Sequence, residues 1–272
     1  MDRPDASRRA LALVTGASSG IGEAFARAYA AKGCDLALIA RREDRLEALG
    51  RELTQTHGVE AFVIPTDLAG FDAHLTVIDA IRARGRTVDI LVNNAGFSLP
   101  QDFAATAWAR QRDFLMTLAV SACGLAHAVI PEMVANRGGA IINVASLAGF
   151  APGAAGHSLY PGVKSLMIKF SQALDAELRA KGLRITAVCP GFTLTEFAKA
   201  NGTQAAMDAA SRRLFQTPTQ VVVAAIRANE RGRVVVVPGW HNKIAAALLR
   251  YMPEPLVSAA IRRGGEPYRL KD

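Results

Sequence analysis

The stretch 15-TGASSGIG-22 decides how the chain is read, because it stands where a short apolar run, Ala10 to Val14, gives way to an amphipathic pattern from Ile21 to Lys32. Its glycines, Gly16, Gly20 and Gly22, follow G-x-x-x-G-x-G. Backbone without a Cβ can approach a pyrophosphate closely, and the unpaired amides at the start of a helix face its charge. A glycine cluster alone says little. In the strand-to-helix context, Gly16, Ser18, Ser19, Gly20, Ile21 and Gly22 read as the phosphate cradle of a dinucleotide site.

Outward from that turn, apolar runs rich in Val, Ile and Leu alternate with longer amphipathic stretches. The runs are "ALALVTG", "DLALIAR", "EAFVIPTD", "DILVNNAG", "AIINVAS", "RITAVCPG" and "RVVVVPG". They are apolar nearly throughout, as strands covered on both faces are. Helical patterns fall at 21–32, 43–56, 72–84, 105–136, 161–181 and 218–230. The expected fold is therefore α/β, a Rossmann-type doubly wound parallel sheet of about seven strands flanked by helices. Residues 1–240 read as one catalytic domain and 241–272 as a basic amphipathic C-terminal tail. Within the domain, Pro190 and Gly191 open an irregular stretch, 192–213, which reads as a mobile flap and at best a weak helix.

At the end of the second strand, where an acidic residue would bind the 2′-hydroxyl of NAD, the sequence reads "LIARRED". Arg41 and Arg42 suit the extra phosphate of NADP(H), which is preferred over NAD. Glu43 and Asp44 in the next turn leave NAD as the alternative, with the arginines merely opening a helix. Asp67, followed by Leu68 at the end of the third strand, is read as a contact to adenine or as the cap of the following helix. "NNAG" closes the fourth strand: Asn94, Ala95 and Gly96 stand where parallel sheets bind ligands, and Asn93 is read either as a tie between strands or as a cofactor contact.

The net charge of +8 is concentrated late, with nine Lys or Arg against four Asp or Glu from Ile226 onward. A solvated surface is the plainer reading; peripheral membrane contact through the tail or an acidic partner is the sharper one. Nucleic acid is not expected, for lack of zinc-finger spacing or basic stretches interleaved with aromatics. Cys34, Cys123 and Cys189 have no paired spacing, no metal motif occurs, and a reducing compartment fits. The apolar run before Gly16 is too short for a signal-peptide core or a spanning helix, so a cytoplasmic protein is expected, with membrane association through the tail as the further option.

One further segment carries chemistry. "SLYPGVKSL" sets Tyr160 and Lys164 one helical turn apart, and Pro161 is tolerated in a first turn. A free phenol has a pKa of roughly 10, so a fixed ammonium nearby is what would make it useful as a base. With the glycine motif, "NNAG", Ser146 in "INVAS", the Tyr–Lys pair and Pro190–Gly191 in order, the chain from Leu11 to Thr195 resembles the short-chain dehydrogenase/reductase family. That resemblance implies proton transfer at a carbonyl or secondary alcohol by Tyr160, assisted by Lys164, with Ser146 orienting the substrate. It also implies contacts to the cofactor by Tyr160, Lys164, Pro190, Gly191, Thr193 and Thr195, and a homodimer or homotetramer. "ERGRVVVVPGW" and the tail are similar to the branch with long-chain 3-oxoacyl reductases, which with the apolar flap points to a hydrophobic ketone. His157 is placed to touch substrate, or is an exposed loop histidine. The family's usual asparagine would fall near Leu118, and no Asn occurs between Asn94 and Asn136. The alternative function is a dinucleotide-binding sensor or scaffold that has lost catalysis.

Overall fold

The apolar runs form parallel strands, and the amphipathic stretches cover them. The computed structural model describes residues 8–153, 155–204 and 214–265; expectations for 1–7, for the flap's end at 205–213 and for 266–272 lie outside the described residues. The strands are β1 Leu11–Thr15, β2 Asp35–Ala40, β3 Ala61–Pro65, β4 Ile90–Asn93, β5 Gly139–Val144, β6 Leu183–Val188 and β7 Val235–Val236. They pair in parallel in the order β3-β2-β1-β4-β5-β6-β7. Strand order reverses between β1 and β4, and the carboxyl ends there form the ligand crevice of a doubly wound sheet.

All of β1 and most of β2 are buried, because helices lie on both faces. One face packs helix α1 (Gly20–Ala31), helix α2 (Glu43–His57) and the helix Pro218–Glu230, through Phe25, Leu46, Leu53 and Val221. The other packs α3 (Ala73–Arg82), α5 (Ser121–Ala135) and α6 (Tyr160–Leu178), through Val77, Leu125, Val129 and Leu174. Each fully buried Leu, Val or Phe contributes about 1.5–3 kcal/mol relative to an exposed one.

Two expectations are corrected here. The run "RVVVVPG" pairs only through Val235 and Val236, since Pro238 and Gly239 turn the chain away at the sheet's edge. The helix expected over 105–136 is three pieces: α4 (Trp108–Leu115), a π-helical turn at Met116–Val120, then α5. Its length and apolarity reflect packing on the sheet by Leu125, Val129 and Met133. The flap contains α7, the four residues Phe197–Ala200.

Candidate active site

At the reversal of strand order, Thr15 clips β1 to β4. Its hydroxyl donates to the Val92 carbonyl at 3.1 Å and accepts the amides of Asn94 and Ala95 at 2.9 and 3.0 Å. The Asn94 side chain returns a bond to the Thr15 carbonyl at 2.9 Å. Gly16 and Gly20 sit at φ 67° and 60°, the left-handed region that favours glycine. A Cβ on Gly22 would run into the Gly16 carbonyl and the Asn94 amide, and one on Gly20 would lie 3.1 Å from Cγ2 of Thr195. Ser19 begins α1 without capping it by its side chain, and its hydroxyl instead takes a bond from Arg42. This is a cradle that a side chain would fill, at a helix N-terminus, and it fits a pyrophosphate.

Arg42, at the start of α2, reaches back over that turn. Nη2 donates to Ser19 Oγ at 2.7 Å, Nε to Ser18 Oγ at 3.1 Å, and Nη1 to Oε2 of Glu196 at 3.1 Å. Arg41 is exposed, 3.8 Å from Asp67. Asp67 accepts the amide of Ala69 at 3.1 Å, a local turn, while Asp72 precedes α3; the reading of Asp67 as that helix's cap is therefore corrected. Leu68 is buried, its carbonyl accepting the Ser121 hydroxyl at 2.6 Å. Asn93 ties strands: its amide donates to Asn143 Oδ1 at 2.9 Å and to the Ala122 carbonyl at 3.1 Å.

Tyr160 opens α6 with Pro161 in the first turn, and Lys164 lies one turn on, buried. The Lys164 ammonium donates to the Val144 carbonyl at 2.8 Å and lies 5.6 Å from the centre of the Tyr160 ring. Burial pulls it down to about 8. Burial also pushes the Tyr160 phenol above its ordinary value, and a side-chain hydrogen bond with Ser146 pulls it partly back. Ser146 follows β5 in extended backbone, its Oγ accepting the Ala148 amide at 3.1 Å. Neighbouring Cys189 is pushed up to about 12, again by burial, which leaves it protonated and inert.

The Tyr160 ring has two aromatic neighbours, Phe114 and Phe197, each 6.4 Å away between centroids. A pocket lined by Leu99, Phe103, Gln111, Phe114, Leu159 and Tyr160 opens beside it. Leu118 is buried inside the π-helical turn, against Gly96 and close to Phe114 and Val163. An apolar side chain thus stands in the segment where the resembled family keeps an asparagine. His157 is partly buried, with Nδ1 3.4 Å from Ser98 Oγ, which corrects the exposed-loop reading.

The flap's root is pinned by Gln216, whose amide and carbonyl pair with Phe192 and Leu194, each at 2.9 Å. Thr193 donates to the Gly191 carbonyl, and Thr195 accepts the Phe197 amide, a local cap. Asn242, from the helix Trp240–Tyr251, is buried against Gly191. Neither Asn242 nor Glu196 was among the residues expected at this site; each reaches a site residue far off in sequence, Gly191 and Arg42 respectively, and no local pattern marks them.

The family profile described as short chain dehydrogenase matches residues 10–206. A relative from Myxococcus xanthus (strain DK1622), named an uncharacterized oxidoreductase, is 33% identical over 252 residues, covering 93% of this chain and 96% of that protein. The very-long-chain 3-oxoacyl-CoA reductase of Anas platyrhynchos is 34% identical over 196 residues, covering 70% of this chain and 62% of that one. Among solved structures, the short-chain dehydrogenase from Sphingobium yanoikuyae in complex with NADPH superposes with a TM-score of 0.79 at 30% identity, covering 97% of this chain and 96% of that one.

Proposed function

The chain belongs to the short-chain dehydrogenase/reductase family, and we propose on that premise an NADP(H)-dependent oxidoreductase that interconverts a hydrophobic ketone or 3-oxoacyl compound and its secondary alcohol. The observation that carries this reading is the buried Lys164 ammonium, held by the Val144 carbonyl 5.6 Å from the centre of the Tyr160 ring, at the mouth of the parallel sheet. When bound, the nicotinamide supplies or takes the hydride. Tyr160 gives its phenolic proton to the carbonyl oxygen in reduction and takes it back in oxidation. The Ser146 hydroxyl orients that oxygen. Lys164, as an ammonium, favours the phenolate and holds the nicotinamide ribose. Arg42 on the serines of the glycine turn, with Arg41 and Arg45 beside it, supports NADP(H) over NAD, as does the NADPH complex of the Sphingobium protein. The aromatic walls around Tyr160 and the likeness to a 3-oxoacyl-CoA reductase support a hydrophobic substrate.

NADPH oxidation with a panel of ketones tests the assignment. Tyr160→Phe is expected to lower kcat by about 10²–10⁴-fold, the ordinary worth of a positioned acid, while NADPH affinity changes less than about twofold. Leu118 in the place of the family's asparagine favours the second reading, a dinucleotide-binding sensor. Tight NADPH binding without turnover, unchanged in Tyr160→Phe, would select it.

The same reading keeps 1–240 as the catalytic domain, a homodimer or homotetramer in the cytoplasm, with the tail touching an anionic membrane surface. Trp240, Ile244, Leu248 and Tyr251 stand exposed along one side of their helix, flanked by Lys243 and Arg250, which suits an acidic lipid interface. Flotation with phosphatidylserine vesicles, lost in Ile244→Glu/Leu248→Glu, is the expected result; no flotation, with a change in oligomeric state instead, would assign the face to a second copy.

A further inference from the structure

The flap carries a carboxylate onto the cofactor's arginines. Glu196 Oε2 accepts from Arg45 Nη1 at 2.8 Å and from Arg42 Nη1 at 3.1 Å. The rest of the Arg42 fork is engaged by the glycine turn: Nε and Nη2 go to Ser18 Oγ at 3.1 and 2.9 Å, and Nη2 also goes to Ser19 Oγ at 2.7 Å. Nη1 is therefore the arm held from across the crevice. The neighbours of Glu196 bear on both ends of the site. Thr195 packs against Gly20 of the cradle, and the Phe197 ring lies 6.4 Å from that of Tyr160. Glu196 is half exposed, and bonds from Arg45 and then Arg42 hold its carboxyl below the usual carboxylate range, so it is ionised at neutral pH.

We propose that Glu196 is a cofactor-specificity residue, an internal anion that competes with the 2′-phosphate of NADP(H) for Arg42 and Arg45. This rests on the NADP(H) reading above. A phosphate monoester carries close to two negative charges at neutral pH and seeks charge-assisted bonds from guanidinium groups, as the carboxylate does. A 2′-phosphate drawn to Arg42 and Arg45 would come beside the Glu196 carboxylate already held there, and like charges side by side repel. Phosphate binding therefore breaks the Glu196 contact and frees the segment that carries Thr195 and Phe197. NAD(H), with a hydroxyl in place of the phosphate, has no anion with which to displace Glu196. The residue thus weakens NADPH binding selectively and links recognition of the phosphate, at the far end of the cofactor, to the wall over Tyr160.

Calorimetric titration of the full chain and of Glu196→Gln with NADPH, NADH, 2′,5′-ADP and 5′-AMP tests this without any turnover. Glu196→Gln is expected to bind NADPH and 2′,5′-ADP about 5–10-fold more tightly, with NADH and 5′-AMP within about twofold. Glu196→Ala should do the same, and the half-exposed position makes misfolding of both variants a poor explanation of any result. Unchanged or weakened binding of 2′,5′-ADP would overturn the proposal; weakened binding would make Glu196 a support for the arginines rather than a competitor. Arg42→Ala separates the two levels of inference. If it weakens NADPH and NADH equally, the NADP(H) reading fails. If it weakens NADPH alone while Glu196→Gln changes nothing, only the role of Glu196 fails.

Discussion

The two walls of the crevice are made differently. On the cofactor side, the glycine turn, Thr15 and Asn94 are joined by backbone groups and short side chains, the turn being so close that a Cβ on Gly22 would meet the Gly16 carbonyl. On the flap side, contacts are made one side chain at a time: Phe197 toward Tyr160, Glu196 to two arginines, and Asn201 accepting the Ser98 amide at 3.0 Å. Phe192, Leu194 and Phe197 of this wall stay substantially exposed. A wall built from backbone tolerates little change and serves one ligand chemistry. A wall built from separate side chains can be altered residue by residue, and under the proposed function that is the wall that would select the substrate. Tyr160 stands between the two, with its charge partner buried on the sheet side.

Lys164 is where that contrast has its largest expected consequence. Its folded value of about 8 lies below its ordinary 10.5, so between those pH values the folded chain binds fewer protons than the unfolded one. Stability therefore rises with pH across that window, and below pH 8 the full cost of a buried ammonium is present. Lys164→Met is expected to lower kcat by about 10²–10³-fold. At pH 7 it should also stabilise the fold by about 1–2 kcal/mol, the relieved cost being partly offset by an unsatisfied Val144 carbonyl. Melting curves at pH 7 and 10 would show the variant's advantage shrinking at the higher pH. In the wild type, activity should fall as pH rises past about 8, where the ammonium is lost. A variant that melts lower at pH 7 yet keeps its rate would make Lys164 an ordinary core residue and remove the reason to separate the walls.

The sheet was legible because burial on both faces writes continuous apolar runs: β1 through β4 lie within those runs, and β5 and β6 start one residue before theirs. The four valines of the last run misled because an edge strand ends where Pro238 and Gly239 turn, whatever its hydrophobicity. The π-helical turn at Met116–Val120 left no trace, since no Gly or Pro marks it and its side chains suit an α-helix equally well. Tyr160 and Lys164 could be paired from sequence because helical period alone aligns residues four apart. Glu196 and Arg42 could not, being 154 residues apart and joined only by the flap's path. Asn242 was hidden likewise, its partner Gly191 lying beyond the whole of the helix Pro218–Glu230.

Phe197 gives the smallest effect and the sharpest test of the flap side. Phe197 is 41% exposed and lies outside the packed core clusters, so Phe197→Ala should change stability by no more than about 1 kcal/mol. Its ring nevertheless lies 6.4 Å from that of Tyr160, as does the ring of Phe114. A hydrophobic substrate seated there loses one apolar wall, so KM for a bulky ketone should rise about 3–10-fold with kcat changed less than about twofold. A small ketone, reaching less of that wall, should be affected less. Thermal melting and steady-state kinetics with both substrates read the two quantities separately. A fall in Tm of more than about 4 °C, roughly what a loss beyond 1 kcal/mol produces in a chain of this length, would place Phe197 in the core and make the two walls alike. An equal loss in kcat and kcat/KM would instead mean that the ring positions Tyr160 itself, which moves the boundary between the walls to the other side of the phenol.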